Sequence, residues 1–321
     1  METRGTWTDL IAGVGLQISE VFDQGQEEYT PGINKVLIQT TGTGAERHVT
    51  GKTGLGRLTQ FQEGDDITVK RRYKTYETHV AYNFYGEAIQ VTKAAIEDRD
   101  FDAQLDEMKD LSKAANFSQD ESGMQIFNGG FATTSVVNGY TLTFYGDAKP
   151  TFSTAHPSVV PGASTQSNAS STGIPFGHDN LETAKVAMIL QQTDDGLPLA
   201  LSGKPAVVVP MNLEREAREE TESMLDPETA QNAINVHRGT TDMISSQFLD
   251  AANRGSNTAW FLVVPGSTKF YHEVRQAPEL ETDVDILSKN ATFTIDARWA
   301  NFVKDWRRSW GSKGDNAAYS G

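Results

Sequence analysis

A short segment in the middle of the chain has the residue types of a hydrolytic site. FSTAHPSVVPGASTQSN, residues 152–168, combines serines and threonines with one histidine. Ser153 could act as a nucleophile and His156 as its base, but a serine hydrolase holds its serine on a sharp turn in a GxSxG-like frame. That frame is missing, and the prolines and glycines indicate turns. We therefore interpret His156 as an exposed turn histidine and predict no catalytic residue.

Two other motif fragments each lack one essential residue. Gly51-Lys52-Thr53 resembles the end of a phosphate-binding loop, but Glu46 stands where the loop needs its first glycine. HEVRQ begins like the HExxH zinc motif at His272, but Gln276 replaces the second histidine. We predict no nucleotide, metal or cofactor site from these fragments.

Charged stretches suggest surfaces rather than ion sites. The acidic runs 97–110 and 214–222 fall on predicted helices, where a solvated or interface-facing charged face is the ordinary explanation. The segment WANFVKDWRRSW near the C-terminus could contact nucleic acid through Arg307 and Arg308. Because the chain is acidic, packing and pairing between subunits are favoured for these arginines.

Composition narrows the class of protein. The 321 residues are enough for two domains, and the formal net charge of −15 disfavours tight binding to nucleic acid. The absence of cysteine excludes disulfides and thiolate chemistry. No apolar stretch approaches the length of a membrane span and no leader is evident, so we expect a soluble protein made in the cytosol.

The predicted elements are unusually long for a self-contained chain. Residues 1–45 read as an extended arm with too few apolar residues to fold alone, so the arm must lie on another surface. Residues 46–84 read as a two-stranded ribbon, which needs a covering neighbour. Residues 101–127 predict one long helix.

The second half of the chain predicts a compact α/β unit. Residues 131–180 read as loops with short strands, and 181–188 lie in a predicted amphipathic helix. AVVV and AWFLVV are typical of strands buried on both faces. Residues 269–284 read as a strand followed by a loop, and the last alternating segment as a final strand.

The order of these elements resembles the Hong Kong 97-type major capsid fold of tailed bacteriophages. The residues FSTAHP, TQSN, NLETAKVAMILQQTDDGLPLALSGKPAVVVPMNLEREARE, NAINVHRG and NTAWFLV, in that order, are similar to the Mu-like major head subunit group. The resemblance covers about residues 85–270 and implies an α+β fold.

The resemblance implies a division into four parts. Residues 1–45 would be the N-terminal arm and residues 46–84 the extended loop. Residues 85–135 and 280–321 would form a peripheral domain with the long helix and the C-terminal strand, and residues 136–279 an axial domain.

The implied function is structural and not enzymatic. The chain would assemble into hexamers and pentamers of an icosahedral shell that encloses double-stranded DNA without binding it tightly, and it would be found in the virion after assembly in the host cytoplasm. Expected partners are further copies of the chain, a separate scaffolding protein, a portal and a decoration protein, with no membrane and no cofactor. Candidate inter-subunit contacts join basic residues of the ribbon to acidic residues before and within the long helix: Lys70, Arg71, Arg72, Lys74, Glu97, Asp98, Asp100, Asp106 and Glu107.

Two alternatives stay open from the sequence. The same fold forms encapsulin-like shells that hold a cargo enzyme, and DNA inside purified particles would distinguish a capsid from such a shell. The second alternative is a hydrolase that uses His156 and Ser153, which predicts an activity lost on replacing both with alanine.

Overall fold

The computed structural model has a mixed α+β architecture. It describes residues 20–29, 31–64, 66–67, 69–94, 102–133, 136–199, 203–225, 234–285, 287 and 290–315. Among the described residues, 20–28 and 93–94 are helical, and further helices are α1 Asp102–Asn128, α2 His178–Ile189 and α3 Glu214–Glu222. Short 3₁₀ turns span Gly32–Lys35, Met211–Leu213, Gln247–Leu249 and Ala251–Asn253.

Twelve strands are described. They are β1 Ile38–Thr41, β2 Glu46–Val49, β3 Thr78–Ala81, β4 Asn83–Val91, β5 Val136–Val137, β6 Tyr140–Thr143, β7 Ala206–Pro210, β8 Asp242–Ser246, β9 Trp260–Val263, β10 Lys269–Val284, β11 Ala291–Asp305 and β12 Ser309–Ser312. They form one six-stranded sheet, one four-stranded sheet and a two-stranded ribbon base.

The larger sheet is organised around the long antiparallel pair β10–β11. β1 pairs in parallel with β10 on one side, whereas β4 and β6 pair with different lengths of β11 on the other. The α1 helix packs on this sheet. Its first half contributes Met108 and Leu111 to a core with Phe293, and its second half contributes Phe127 to a core with Phe270.

The smaller sheet has the order β12-β9-β7-β8, and its strands β7, β9 and β12 are buried on both faces. Because neighbouring side chains of a strand point to opposite faces, Val208 faces the core that contains Phe127 while Val207 and Val209 face α2 and α3. The predicted double burial of AVVV and AWFLVV is confirmed.

The described part of the arm lies against α1 of its own chain. Asp120 of α1 accepts hydrogen bonds from the Gly32 and Ile33 amides at 3.0 and 2.9 Å, and Ser112 Oγ donates to the Phe22 carbonyl at 2.7 Å. The prediction that the arm lies on another surface is therefore confirmed for Phe22, Gly32 and Ile33 on α1 and for β1 on β10. The prediction of an extended conformation is wrong for residues 20–28, which are helical because Phe22 gains burial on α1.

Two strand predictions need correction. β10 is one continuous strand, although the segment predicts a strand followed by a loop, because register shifts between Val274 and Glu279 accommodate Pro278 without ending the pairing. The predicted boundary at 279/280 therefore falls inside β10. β12 pairs with β9 in the smaller sheet, whereas residues 280–321 are predicted to accompany the long helix. The division into domains stays a prediction.

Candidate inter-subunit surface

The candidate catalytic histidine is a buried structural residue. His156 is 1% exposed, its Nδ1 lies 2.6 Å from Asp147 Oδ2, and its Nε2 lies 3.1 Å from Asn168 Oδ1. Its ring stacks on Trp306 with centroids 4.1 Å apart. The expected exposure of His156 is therefore wrong. Both ring nitrogens lie within hydrogen-bond distance of side-chain oxygen atoms from other parts of the chain. His156 therefore holds neighbouring loops together.

The other two motif fragments also serve the fold. His272 lies in β10, buried, with Nδ1 2.6 Å from Asn301 Oδ1, so it is a strand histidine as predicted. Lys52 bridges to Lys74 in the ribbon, and the Thr53 amide donates to the Tyr73 carbonyl at 2.9 Å. A phosphate-binding loop opens a helix, whereas Gly51-Lys52-Thr53 continues into a ribbon.

The two arginines near the C-terminus form ion pairs and hydrogen bonds within the chain. The side chain of Arg307 is 9% exposed and lies 2.8 Å from Asp194 Oδ1 and 3.1 Å from Asp305 Oδ1. Arg308 Nη1 donates to Ser267 Oγ at 2.7 Å. The packing interpretation of this segment is confirmed for Arg307, because a buried, paired guanidinium is unavailable to nucleic acid.

The ribbon has a firmly anchored base. β2 pairs antiparallel with β3, and Val49, Val80 and Tyr82 pack into a small core with Phe302 of β11. Beneath them the buried carboxylate of Glu273 accepts hydrogen bonds from Arg47, from Tyr82 and, at 3.1 Å, from Thr40. This network ties the ribbon to β1 and β10, and the sequence offers no sign of it because its members are far apart in the chain.

Beyond Thr53 the described residues of the ribbon have no backbone pairing between strands. No described residue between 54 and 72, which we call the ribbon tip, belongs to a strand or bridge. The prediction of a long ribbon is therefore confirmed in its outline and wrong in its extent of pairing. Large apolar side chains of the tip are exposed, by as much as 100% at Leu58: Leu55, Leu58, Phe61, Ile67 and Val69.

The predicted basic residues lie in the returning segment of the ribbon, before β3, and all are exposed. Lys70 Nζ donates to the Arg57 carbonyl, and Lys74 Nζ donates to Glu77 Oε2 at 2.7 Å. Arg71 and Arg72 form no hydrogen bond or ion pair within the described chain. Basic and apolar side chains therefore share one projecting segment.

The predicted acidic partners are described only in part. Glu97, Asp98 and Asp100 lie outside the described residues, whereas Asp106 and Glu107 are exposed on α1. In the same helix Lys109 and Lys113 bind Glu28 of the arm, and their hydrogen bonds lower the pKa of Glu28. Among the described residues no ion pair joins the ribbon to Asp106 or Glu107.

None of the helices in the described part of the chain combines the length and hydrophobicity of a membrane-spanning segment. A family model described as phage capsid protein matches residues 77–309. No curated protein matches the chain.

Solved capsids share the fold. The bacteriophage JBD30 capsid has a TM-score of 0.55 at 15% identity, covering 69% of this chain and 92% of that chain. The capsid of an empty GTA particle has a TM-score of 0.54 at 10% identity, covering 88% and 89%. The capsid of Ralstonia phage GP4 has a TM-score of 0.53 at 13% identity, covering 89% of each chain.

These neighbours have Hong Kong 97-like capsid folds, which confirms the predicted fold class. The family match spans more than half of the chain. The chain belongs to the phage capsid protein family and is a capsid shell protein.

Proposed function

We propose that the chain assembles with copies of itself into hexamers and pentamers of an icosahedral shell that encloses double-stranded DNA. The observation that carries the proposal is the ribbon tip, which projects exposed apolar and basic side chains on a firmly anchored base. A monomer gains nothing from this arrangement, because apolar surface left in water forgoes about 25 cal/mol per Å² of stabilisation.

The occupant that fits the tip best is a second copy of the chain. Residues 46–84 carry seven lysines and arginines against five acidic residues, in a chain whose net charge is −15. The rest of the surface is therefore strongly acidic and complementary to the ribbon. Contacts between copies of one chain also satisfy the geometry of a closed symmetric assembly.

The proposed contacts place Lys70, Arg71, Arg72 and Lys74 against the acidic face of a neighbour's long helix. Asp106 and Glu107 offer that face in the described part, and Glu97, Asp98 and Asp100 extend it in the sequence. Exposed ion pairs contribute little singly, about 0–1 kcal/mol each. We infer that they orient the ribbon while Leu58 and the other apolar side chains of the tip supply the burial.

The domain assignment is part of the proposal. Residues 1–45 act as the arm, 46–84 as the extended loop, 85–135 with 280–321 as the peripheral domain, and 136–279 as the axial domain. An acidic chain suits a shell that encloses DNA without binding it tightly, because contacts with the DNA phosphates would slow packaging and release. A separate scaffold, a portal and a decoration protein complete the proposed set of partners, with assembly in the host cytoplasm.

Charge reversal tests the proposal. We expect R71E/R72E to lower the yield of closed shells or capsomers at least severalfold, measured by size-exclusion chromatography and negative-stain microscopy. K149E/R238E is the matched control, since both residues are exposed and lie outside the ribbon. Circular dichroism verifies that both variants fold.

Three outcomes would count against parts of the proposal. Equal yields from the wild type and R71E/R72E would remove the basic cluster from the interface. A stable wild-type monomer, even with a scaffold supplied, would argue against self-assembly. Shells that hold a co-purifying enzyme and no nuclease-protected DNA would favour an encapsulin-like compartment.

A further inference from the structure

Two histidines and a glutamate meet on the outer face of the ribbon base. His48 of β2 and His79 of β3 are direct partners across the antiparallel pair, and their ring centroids are 4.4 Å apart. Glu77 Oε1 lies 3.7 Å from His48 Nδ1 and 4.0 Å from His79 Nε2. One nitrogen or oxygen of each side chain lies within 4.8 Å of the others.

The strand geometry explains why these three side chains converge. Successive side chains of a strand alternate between faces, so His79 and Glu77 share a face, and the cross-strand partner His48 shares it too. The opposite face carries Val49 and Val80, which are buried against β11. The core therefore holds the backbone of the cluster in place while its donor atoms face solvent.

Glu77 is oriented by its second oxygen. Lys74 Nζ donates to Oε2 at 2.7 Å. Oε1 is left directed between the two imidazole rings. A carboxylate held in this way is well placed to bind a metal, since ligating groups are oriented by hydrogen bonds from their surroundings.

We propose that His48, Glu77 and His79 bind one Zn²⁺ ion, with water completing a tetrahedral site. Two imidazoles and a carboxylate suit zinc and neighbouring first-row metals, and they disfavour Mg²⁺ and Ca²⁺, which prefer all-oxygen ligands. Zinc–ligand bonds near 2.05 Å require ligand atoms about 3.4 Å apart in a tetrahedron. The glutamate–histidine distances of 3.7 and 4.0 Å need to shorten by about 0.3 and 0.6 Å, and the two ring nitrogens, which lie within 4.8 Å of each other, by at most about 1.4 Å, which side-chain rotation on the surface allows.

The bound ion would tie the two strands of the ribbon together at the point where the ribbon leaves the body. Pairing between the strands ends a few residues further out, near Thr53 and Tyr73. Zinc would therefore stabilise the last ordered part of the ribbon and fix the direction in which the tip projects. This role does not depend on the proposed inter-subunit contacts.

The test is zinc titration of the tag-free full chain, by competition with a chromophoric chelator. We expect one saturable site per chain, because only His48 and His79 among the six histidines are well exposed. His156, His237 and His272 are buried, and the side chain of His178 is only 13% exposed. H48A and H79A are each expected to weaken binding at least about tenfold, as losses around metal sites commonly do. E77Q should also weaken binding, whereas E46Q should not.

E46Q is the matched control because Glu46 is an exposed carboxylate on the same face of β2. Circular dichroism shows that each variant is folded, and Co²⁺ in place of zinc should give the visible absorption of a tetrahedral site. Absence of a saturable site would overturn the proposal. Binding that survives in H48A/H79A, or equal affinity in E77Q and E46Q, would overturn it as well.

Discussion

Buried histidines stabilise the fold of this chain, although the motifs around them suggested catalytic or metal-binding roles. His272 Nδ1 donates to Asn301 Oδ1, and Asn301 in turn donates to Ser122 Oγ of α1 at 3.0 Å. Trp299 Nε1 donates to the same hydroxyl at 3.0 Å. A single chain of hydrogen bonds thus fixes α1 against β10 and β11. His272 Nε2 has no partner among the described residues, so the fold accommodates the neutral ring.

This geometry predicts a pH dependence of stability. Burial lowers the pKa of His272, although the bond to Asn301 and the charge of Asp120 oppose the shift. The pKa of histidine in the unfolded chain is about 6.5, so above that pH the ring is neutral in both the folded and the unfolded chain. Protonation of His272 then takes nothing from the free energy of unfolding. As the pH falls below that value the unfolded chain takes up a proton that the folded chain resists, so the free energy of unfolding decreases toward pH 5.

Urea denaturation between pH 5.5 and 7.5 measures this effect. H272Q should flatten the dependence without abolishing it, because burial also lowers the pKa of His237 and contributes with the same sign. Y271F provides the control, because it leaves every histidine in place and should keep the wild-type slope. A wild-type slope in H272Q would contradict the assignment.

At the scale of single residues, the sequence predicted the surroundings of a side chain poorly. The turn residues around His156 predicted exposure, because composition reports the loop and not what covers it. The partners of His156 are Asp147, Asn168 and Trp306, and the last is 150 positions away in the chain. Likewise, His48 and His79 become neighbours only through strand register, so no spacing rule could indicate their cluster.

Single elements were more predictable, because periodicity is a local property. The predicted long helix, 101–127, is observed as Asp102–Asn128, and β7 and β9 are buried as their apolar runs indicated. Prediction failed where tertiary contacts override local preference. Pro278 suggested a loop, but bulges keep β10 paired to β11. The alternating residues of the ribbon tip suggested paired strands, but they lack a partner strand within the described chain.

The ribbon as an element depends on the buried carboxylate beneath its base. Glu273 is fully buried and accepts from Tyr82, Arg47 and Thr40. Y82F removes one donor and leaves a buried carboxylate oxygen less satisfied, which costs about 1–3 kcal/mol. We expect Y82F to have a lower free energy of unfolding than the wild type. Hydrogen exchange, measured by mass spectrometry, should accelerate more at β2 and β3 than at α2.

Y271F is the matched control for this prediction. Tyr271 packs against the same small core, and its hydroxyl makes no hydrogen bond within the described ranges. Removing that hydroxyl should change stability by less than about 0.5 kcal/mol. If Y82F and Y271F behaved alike, the Glu273 network would not be what secures the ribbon.

For the whole molecule, two electrostatic effects of opposite sign act on assembly. Subunits with a net charge of −15 repel one another, while the basic ribbon attracts the acidic surface of a neighbour. The screening length is about 10 Å at 0.1 M salt and about 3 Å at 1 M. Moderate salt therefore removes the long-range repulsion between subunits first, and only high salt weakens ion pairs in direct contact.

The yield of assembled particles should accordingly pass through a maximum as NaCl increases from 0.05 to 1 M. R71E/R72E should start from a lower yield and only rise, because the variant retains the repulsion and has lost the attraction that high salt removes. Light scattering and sedimentation across the salt series measure both curves. A wild-type yield that only rises would mean that burial of Leu58, Phe61 and the other apolar residues of the tip dominates assembly, and that the basic cluster contributes little to the contact.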